Sequence, residues 1–185
     1  GKVLLRRPAS IPSRAITSNT TQKTPSTRQG HPRVVATAFT DATGAKACTS
    51  VLALNEIFKL TGVKKFGLVT PYRDDVQEKI IANYARHGFA CSGERHLRIQ
   101  DNFSFSEVTT EQIHTMIRDV AKDKPDAITV FCTNLRGAPL AAELEAELGI
   151  PIYDTISTVV WKSLKLAGVD PKRVTGWGRL FRDVA

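Results

Sequence analysis

Residues 126–136, Asp-Ala-Ile-Thr-Val-Phe-Cys-Thr-Asn-Leu-Arg, carry an apolar run into a cysteine followed at once by Thr133 and Asn134. Read as a buried strand running into a helix, the segment sets Cys132 at the positive end of that helix. Backbone N–H groups and the helix dipole there favour thiolate and bind carboxylate. Proton transfer next to a carboxylate needs an acid/base of near-neutral pKa and donors for the enediolate, and a thiol so placed supplies both. The competing reading is a small buried hydrophobe at a strand end; the polar Thr-Asn pair favours chemistry.

Other residues admit two readings each. Tyr72 follows Thr70-Pro71, so its ring either closes a pocket with the hydroxyl inward or covers a helix start. Asn102, in a polar loop, binds carboxylate or makes an Asx turn. At Asp154-Thr155-Ile156-Ser157, Thr155 or Ser157 can donate to a substrate, although helix capping is the commoner role. Cys91 reads as structural, His87 and His96 as turn residues, and His114 as lying on the exposed side of its helix. None of these has a spacing partner for a metal or a triad. No GxGxxG or GxxxxGK[ST] phosphate loop exists. Gly176–Phe181, with two aromatics, reads as packing on the body or on a subunit face.

The elements that must position these residues follow from periodicity. Thr49 or Ser50 can cap a helix with Leu54, Ile57 and Phe58 on one face, ending near Gly62, and Lys65–Thr70 is then a short buried strand. Asp74 and Asp75 start a helix with Val76, Ile80, Ile81 and Tyr84 inward and His87-Gly88 at its end. A strand is expected at Phe89–Cys91 or Leu97–Ile99. Thr109 and Gln112 form a capping-box pair ahead of Ile113, Met116, Ile117, Val120 and Ala121 at helical spacing. Asp126–Phe131 is the central strand, Gly137–Leu148 a helix stopped by Gly149, Ile150–Tyr153 a strand and Thr155–Ala167 a helix stopped by Gly168. Strands alternating with helices predict a doubly wound α/β fold with a parallel sheet.

The chain has 185 residues and a formal charge of +8, and the location of that charge decides its meaning. Seven of the 26 Lys/Arg lie in residues 1–40 with no acid, leaving 19 bases against 18 acids beyond. The folded part is near neutral, without a basic recognition face, so no nucleic-acid partner is expected. Apolar runs fall far short of about 18 residues, so no membrane span is expected. Three cysteines do not make a disulfide framework, and the expected compartment is reducing, the cytoplasm. The acid-free Ser/Thr/Arg/Pro-rich start is no secretory signal; it fits an organellar transit peptide, a disordered arm or an aberrant terminus.

Several motifs stand in a telling order: Gly62-Val63-Lys64-Lys65-Phe66-Gly67-Leu68-Val69-Thr70-Pro71-Tyr72, then Ile99-Gln100-Asp101-Asn102, then Cys132-Thr133-Asn134-Leu135. Leu148-Gly149-Ile150-Pro151, Trp161 and Leu166-Ala167-Gly168 follow. Over residues 34–170 this resembles the aspartate/glutamate racemase superfamily, in its maleate cis-trans isomerase and arylmalonate decarboxylase branch. The resemblance implies a cofactor-free enzyme of two similar α/β domains, each giving one cysteine, around a small carboxylate or dicarboxylate. It implies that Cys132 is the second-domain cysteine, Tyr72 the substrate-contacting phenol and Asn102 the carboxylate-binding Asn. Thr133 and Asn134 would offer backbone N–H groups to the same carboxylate.

The chain also departs from that pattern. Cys48-Thr49-Ser50 resembles the first-domain cysteine motif, yet Cys48 stands 84 residues before Cys132, about one strand-helix unit too close. The expected position falls within Ser18–Thr27, which holds no cysteine. Ser18-Asn19-Thr20-Thr21 resembles the segment after the family's first strand but stands too near the later motifs. Residues 1–33 therefore read as a truncated, deleted or miscalled part of a first half-domain. Residues 34–62 read as its remnant, 63–154 as one complete α/β domain, and 155–185 as a helix and tail packing back on the first half. Two facing thiols permit racemisation, or attack on a double bond with proton return. One thiol permits one-sided proton delivery, as in decarboxylation. The leading expectation is an isomerase or racemase of small carboxylic acids using Cys132, and Cys48 if it reaches the site. The alternatives are a malonate-type decarboxylase or an inactive carboxylate-binding remnant. Homo-oligomerisation is left open.

Overall fold

The computed structural model describes residues 16–18 and 32–184. In chain order its elements are β1 (Ile16–Ser18), α1 (Pro32–Thr43), β2 (Ala47–Thr49), α2 (Ser50–Leu60), β3 (Lys65–Thr70), α3 (Asp74–Arg86) and β4 (Ala90–His96). There follow α4 (Thr110–Ala121), β5 (Ala127–Val130), α5 (Ala141–Leu148), β6 (Ile152–Asp154), α6 (Thr155–Leu166) and α7 (Arg179–Asp183). Four strands form one parallel sheet in the order β4-β3-β5-β6, and β1 pairs with β2, also in parallel, as a second sheet.

Local chemistry explains the helix starts. The Thr49 hydroxyl accepts from Leu52 N at 3.2 Å and caps α2. Thr109 and Gln112 form the reciprocal capping box of α4. Asp154 caps α6, its Oδ1 accepting from Ile156 N at 2.7 Å and Ser157 N at 3.4 Å. Gly149, at φ 72°, turns the chain out of α5 in the left-handed conformation that glycine adopts without steric cost.

β3 is apolar on both faces because helices cover both. Phe66 points to one side, into an aromatic cluster with Phe58 of α2 (ring centres 5.5 Å apart) and Tyr84 of α3 (5.0 Å). Its neighbour Gly67 points to the other, where a Cβ would collide with Val120 of α4. Helices α2 and α3 thus lie on one face and α4 on the other, the doubly wound fold expected. Beyond the sheet, α6 packs on α2 and β2, and Trp161 Nε1 donates to the Val184 carbonyl at 2.9 Å, fastening the tail against α6.

The winding also decides where chemistry can sit. From β3 the chain passes outward to β4, then returns across β3 to β5, so connections leave the carboxyl ends of β3 and β5 in opposite directions. A crevice opens at such a switch point. Tyr72 follows β3, and Cys132 follows β5.

Some elements differ from expectation. The strand after α3 is Ala90–His96, which takes in Ala90 and Cys91 of the first position considered and runs on to just short of the second. As an edge strand half-covered by α3 and α4, it runs through Ser92-Gly93-Glu94-Arg95 without a continuous apolar signature. His96 accordingly ends a strand rather than sitting in a turn. His114 is buried rather than exposed, because α5 packs alongside α4. After Cys132 the chain makes a turn and a 3-10 segment, Ala138–Leu140, before α5 begins at Ala141. The expectations for residues 1–33 lie outside the described residues except at 16–18 and 32–33. No described helix is long and apolar enough to cross a membrane.

Candidate active site

The loop between β4 and α4 folds back over the sheet end. Its Phe105 ring packs edge-on against Tyr72, with centres 5.6 Å apart, and its Asn102 meets the turn after β5. There Asn134 Nδ2 donates to Asn102 Oδ1 at 2.7 Å and to the Asn102 carbonyl at 3.3 Å. Asn102 stays exposed, its own amide protons unspent among the described residues and available to an acceptor such as a carboxylate. Tyr72, Asn102, Cys132 and Asn134, separated by up to 62 positions, thereby become neighbours.

Cys132 is held differently from expectation. The sulfur lies in the core rather than on an open rim, the residue being 2% exposed, and no helix begins directly behind it. Burial pushes its thiol above the ordinary cysteine value. The Asn134 amide, the Tyr72 hydroxyl and the Leu135 amide pull it back, and the nearby Asp154 carboxylate pushes it further up. The resting group is a protonated thiol, and three nearby N–H and O–H groups favour its anion. These donors come from a tight turn and a phenol, not from a helix dipole.

Asp154 is the residue the sequence reading passed over in favour of its neighbours. It is fully buried; Oδ1 accepts two amides while Oδ2 has no hydrogen-bond partner among the described residues. Burial pushes the carboxyl up to about 7, against the two capping amides. Its proton therefore belongs on Oδ2, the oxygen left without donors. Gly137 makes the room: a Cβ there would stand 2.9 Å from Oδ2 and 2.7 Å from Val130 Cγ1. An acid before Thr-Ile-Ser is legible as a cap, but the enclosure of its second oxygen comes from residues far away in sequence.

The remaining candidates separate. Thr155 is buried and its hydroxyl donates to the Val130 carbonyl at 2.9 Å, so its proton braces β5 instead of facing a substrate. Thr133 is half-buried beside Cys132. Cys48 is the middle residue of β2 in the smaller sheet, 4% exposed, its thiol pushed up to about 11 by burial, with Lys162 opposing and Glu56 reinforcing that rise. Lys162 and Glu56 pair at 2.6 Å across α6 and α2. Neither is among the main groups acting on Cys132. Cys91 is half-buried, its thiol donating to the Gly93 carbonyl at 3.3 Å. Among the described residues no group of three His, Cys, Asp or Glu is placed to hold a metal ion.

Comparison with known proteins bears on the family and the fold. The chain is 30% identical over 146 residues to arylmalonate decarboxylase of Bordetella bronchiseptica, an alignment spanning 78% of this chain and 61% of that protein. It is 30% identical over 135 residues to maleate isomerase of Nocardia farcinica, spanning 72% and 53%. The chain thus spans between half and two thirds of these relatives' length. A solved structure of a Nocardia farcinica maleate cis-trans isomerase variant with a covalently bound succinylcysteine intermediate superposes with a TM-score of 0.77 at 28% identity, covering 83% of this chain and 65% of that one. The expected branch of the superfamily and its fold are borne out. Residues 30–181 match the family model described as arylmalonate decarboxylase, and the chain belongs to that family.

Proposed function

We propose that this chain supplies the reacting thiol of a cofactor-independent enzyme acting on a small carboxylic acid, of the isomerase class and resembling maleate isomerase. The observation that carries this reading is Cys132 at the switch point of the sheet, with the Asn134 amide, the Tyr72 hydroxyl and the Leu135 amide close enough to its sulfur to favour the anion. As nucleophile, the thiolate adds to an alkene carbon of an unsaturated diacid and the electron pair moves onto the adjacent carboxylate. The former double bond can then rotate before the thiolate departs. As acid, the thiol gives its proton to an enediolate carbon. Asn102 and the Thr133–Asn134 turn hold the carboxylate, and Tyr72 steadies the sulfur anion.

Two observations favour the second reading, decarboxylation of a malonate-type acid. A thiol that burial keeps protonated is ready to deliver a proton after carbon dioxide leaves, and Cys48 lies in the other sheet beside the Lys162–Glu56 pair, which favours one reacting thiol. Incubating the chain with maleate and with an aryl-substituted malonate, with NMR of products and measurement of released carbon dioxide, separates the two. Conversion of maleate to fumarate supports isomerisation, and carbon dioxide release supports decarboxylation. Turnover of either substrate at the wild-type rate by Cys132→Ala overturns both.

A further inference from the structure

Behind the segment that carries Tyr72 runs a continuous chain of hydrogen bonds with a histidine at its head. Tyr72 N donates to Thr70 Oγ1 at 3.3 Å, Thr70 Oγ1 donates to Gln77 Oε1 at 2.7 Å, and Gln77 Nε2 donates to Glu94 Oε2 at 2.7 Å. Glu94 Oε2 also meets His96 Nδ1 at 2.7 Å, while His96 Nε2 meets Asp74 Oδ1 at 2.7 Å. A second route closes the loop. Arg98 Nε donates to the same Asp74 oxygen at 2.8 Å, and the Arg98 and Ile99 amides donate to the Tyr72 and Pro71 carbonyls at 3.0 and 2.9 Å. Arg98 sits at φ 57°, a left-handed conformation rare for a residue with a side chain, and these bonds hold it there.

The donors and acceptors leave one consistent assignment. Both carboxylates are acceptors, so both ring nitrogens of His96 must donate, and the ring is an imidazolium. Gln77, 2% exposed, then has each end of its amide satisfied, and Thr70 is oriented to receive the Tyr72 amide. The charged groups facing His96 are Asp74 from α3, Glu94 from its own strand and Arg98 from the following loop. On the other side of β4, Arg95 turns away to Asp119 of α4.

We propose that His96, bridging Asp74 and Glu94, is a positioning residue that holds the Tyr72 segment against Cys132. Loss of one ring proton sets a lone pair against a carboxylate oxygen and breaks the chain at its head. Tyr72 then loses the ordered support of Thr70 on one side and of Arg98 on the other. Its hydroxyl, one of three donors to the sulfur, goes with it. The two carboxylates raise the ring's pKa, opposed by burial and Arg98, so the arrangement is complete at low pH and lost as pH rises through that raised value.

The bearing of this device on turnover rests on the reading of Cys132 as the reacting thiol; the coupling between His96 and Tyr72 does not. NMR titration of the isotopically labelled full chain from pH 5 to 9 tests the coupling. Both His96 ring nitrogens should carry protons well past the midpoint of a free histidine. The Tyr72 amide and ring signals should move with the same midpoint. In Glu94→Gln, which keeps the hydrogen-bonding shape without the charge, both midpoints should fall together. In His96→Gln, Tyr72 should cease to respond to pH in this window, and alkylation of Cys132 by iodoacetamide at pH 7, followed by mass spectrometry, should slow several-fold, because the thiolate has lost a donor. Tyr72 signals that stay still while His96 titrates would overturn the proposal, as would a His96 midpoint at or below that of free histidine. A chain that turns over no carboxylate yet shows the shared midpoint refutes the enzymatic reading alone.

Discussion

Cys132 and Cys48 occupy similar local positions and very different surroundings. Cys132 lies just past β5 and Cys48 within the three-residue β2, both in parallel sheets; each is almost fully buried, and burial raises each thiol. Around Cys132 converge two amides, a phenol and a buried carboxylic acid, with a loop bearing Asn102 and Phe105 folded across. Around Cys48 the charged neighbours are Lys162 and Glu56, already paired with each other in joining α6 to α2. A cysteine at a strand end becomes a candidate reagent only where the winding of the sheet opens a crevice and other segments bring donors to the sulfur. The same local motif elsewhere fills a core.

The sharpest way to break this contrast is to remove each sulfur in turn. Cys132→Ala should lower kcat by at least about a thousandfold, whereas Cys48→Ala should keep kcat within about threefold, measured on the substrate the wild type turns over. Equal losses in the two variants would mean that both thiols serve one site. Tyr72→Phe comes next. Removing one of three donors to the sulfur anion should cost about ten- to a hundredfold in kcat with little change in fold, checked by kinetics alongside thermal unfolding.

Asp154→Asn tests the buried acid. Its carboxyl holds a proton up to about pH 7 when folded and gives it up near its ordinary value of 3.8 when unfolded. Between those pH values the folded state binds the extra proton, so raising pH destabilises the wild type, by on the order of 4 kcal/mol across the window. Asparagine keeps the capping oxygen and should flatten that dependence, as urea unfolding at pH 4 to 8 would report. It should also lower the Cys132 midpoint in iodoacetamide titration, since a carboxylate that opposes the thiolate is gone. The smallest effect belongs to Asn134→Ala. Loss of the half-exposed amide contact to Asn102 should cost about 1 kcal/mol or less in stability but raise KM, measurable as a KM shift with kcat nearly kept.

Where local signals were strong they agreed with the fold. The capping box at Thr109 and Gln112, the cap at Thr49, the acidic start at Asp74-Asp75 and the apolar run in β3 each encode an element within a few residues. β4 was harder to read, because an edge strand half-covered by helices has no need of an apolar run and can carry Glu94, Arg95 and His96. For the same reason the partners of His96, at positions 74 and 94 on different elements, formed no spacing pattern.

The amino-acid sequence by itself determined the alternation of strands and helices, the family, and the placement of Cys132 and Tyr72 just past the ends of two strands. These depend on periodicity, capping and short motifs, which are properties of neighbouring residues. Only the tertiary structure decided that Cys132 rests as a buried, protonated thiol, that Asp154 holds its proton near neutrality, and that Cys48 has the Lys162–Glu56 pair for charged neighbours. Desolvation and hydrogen-bond convergence are set by what other segments bring to within a few ångströms, and in this chain those segments lie tens of residues away.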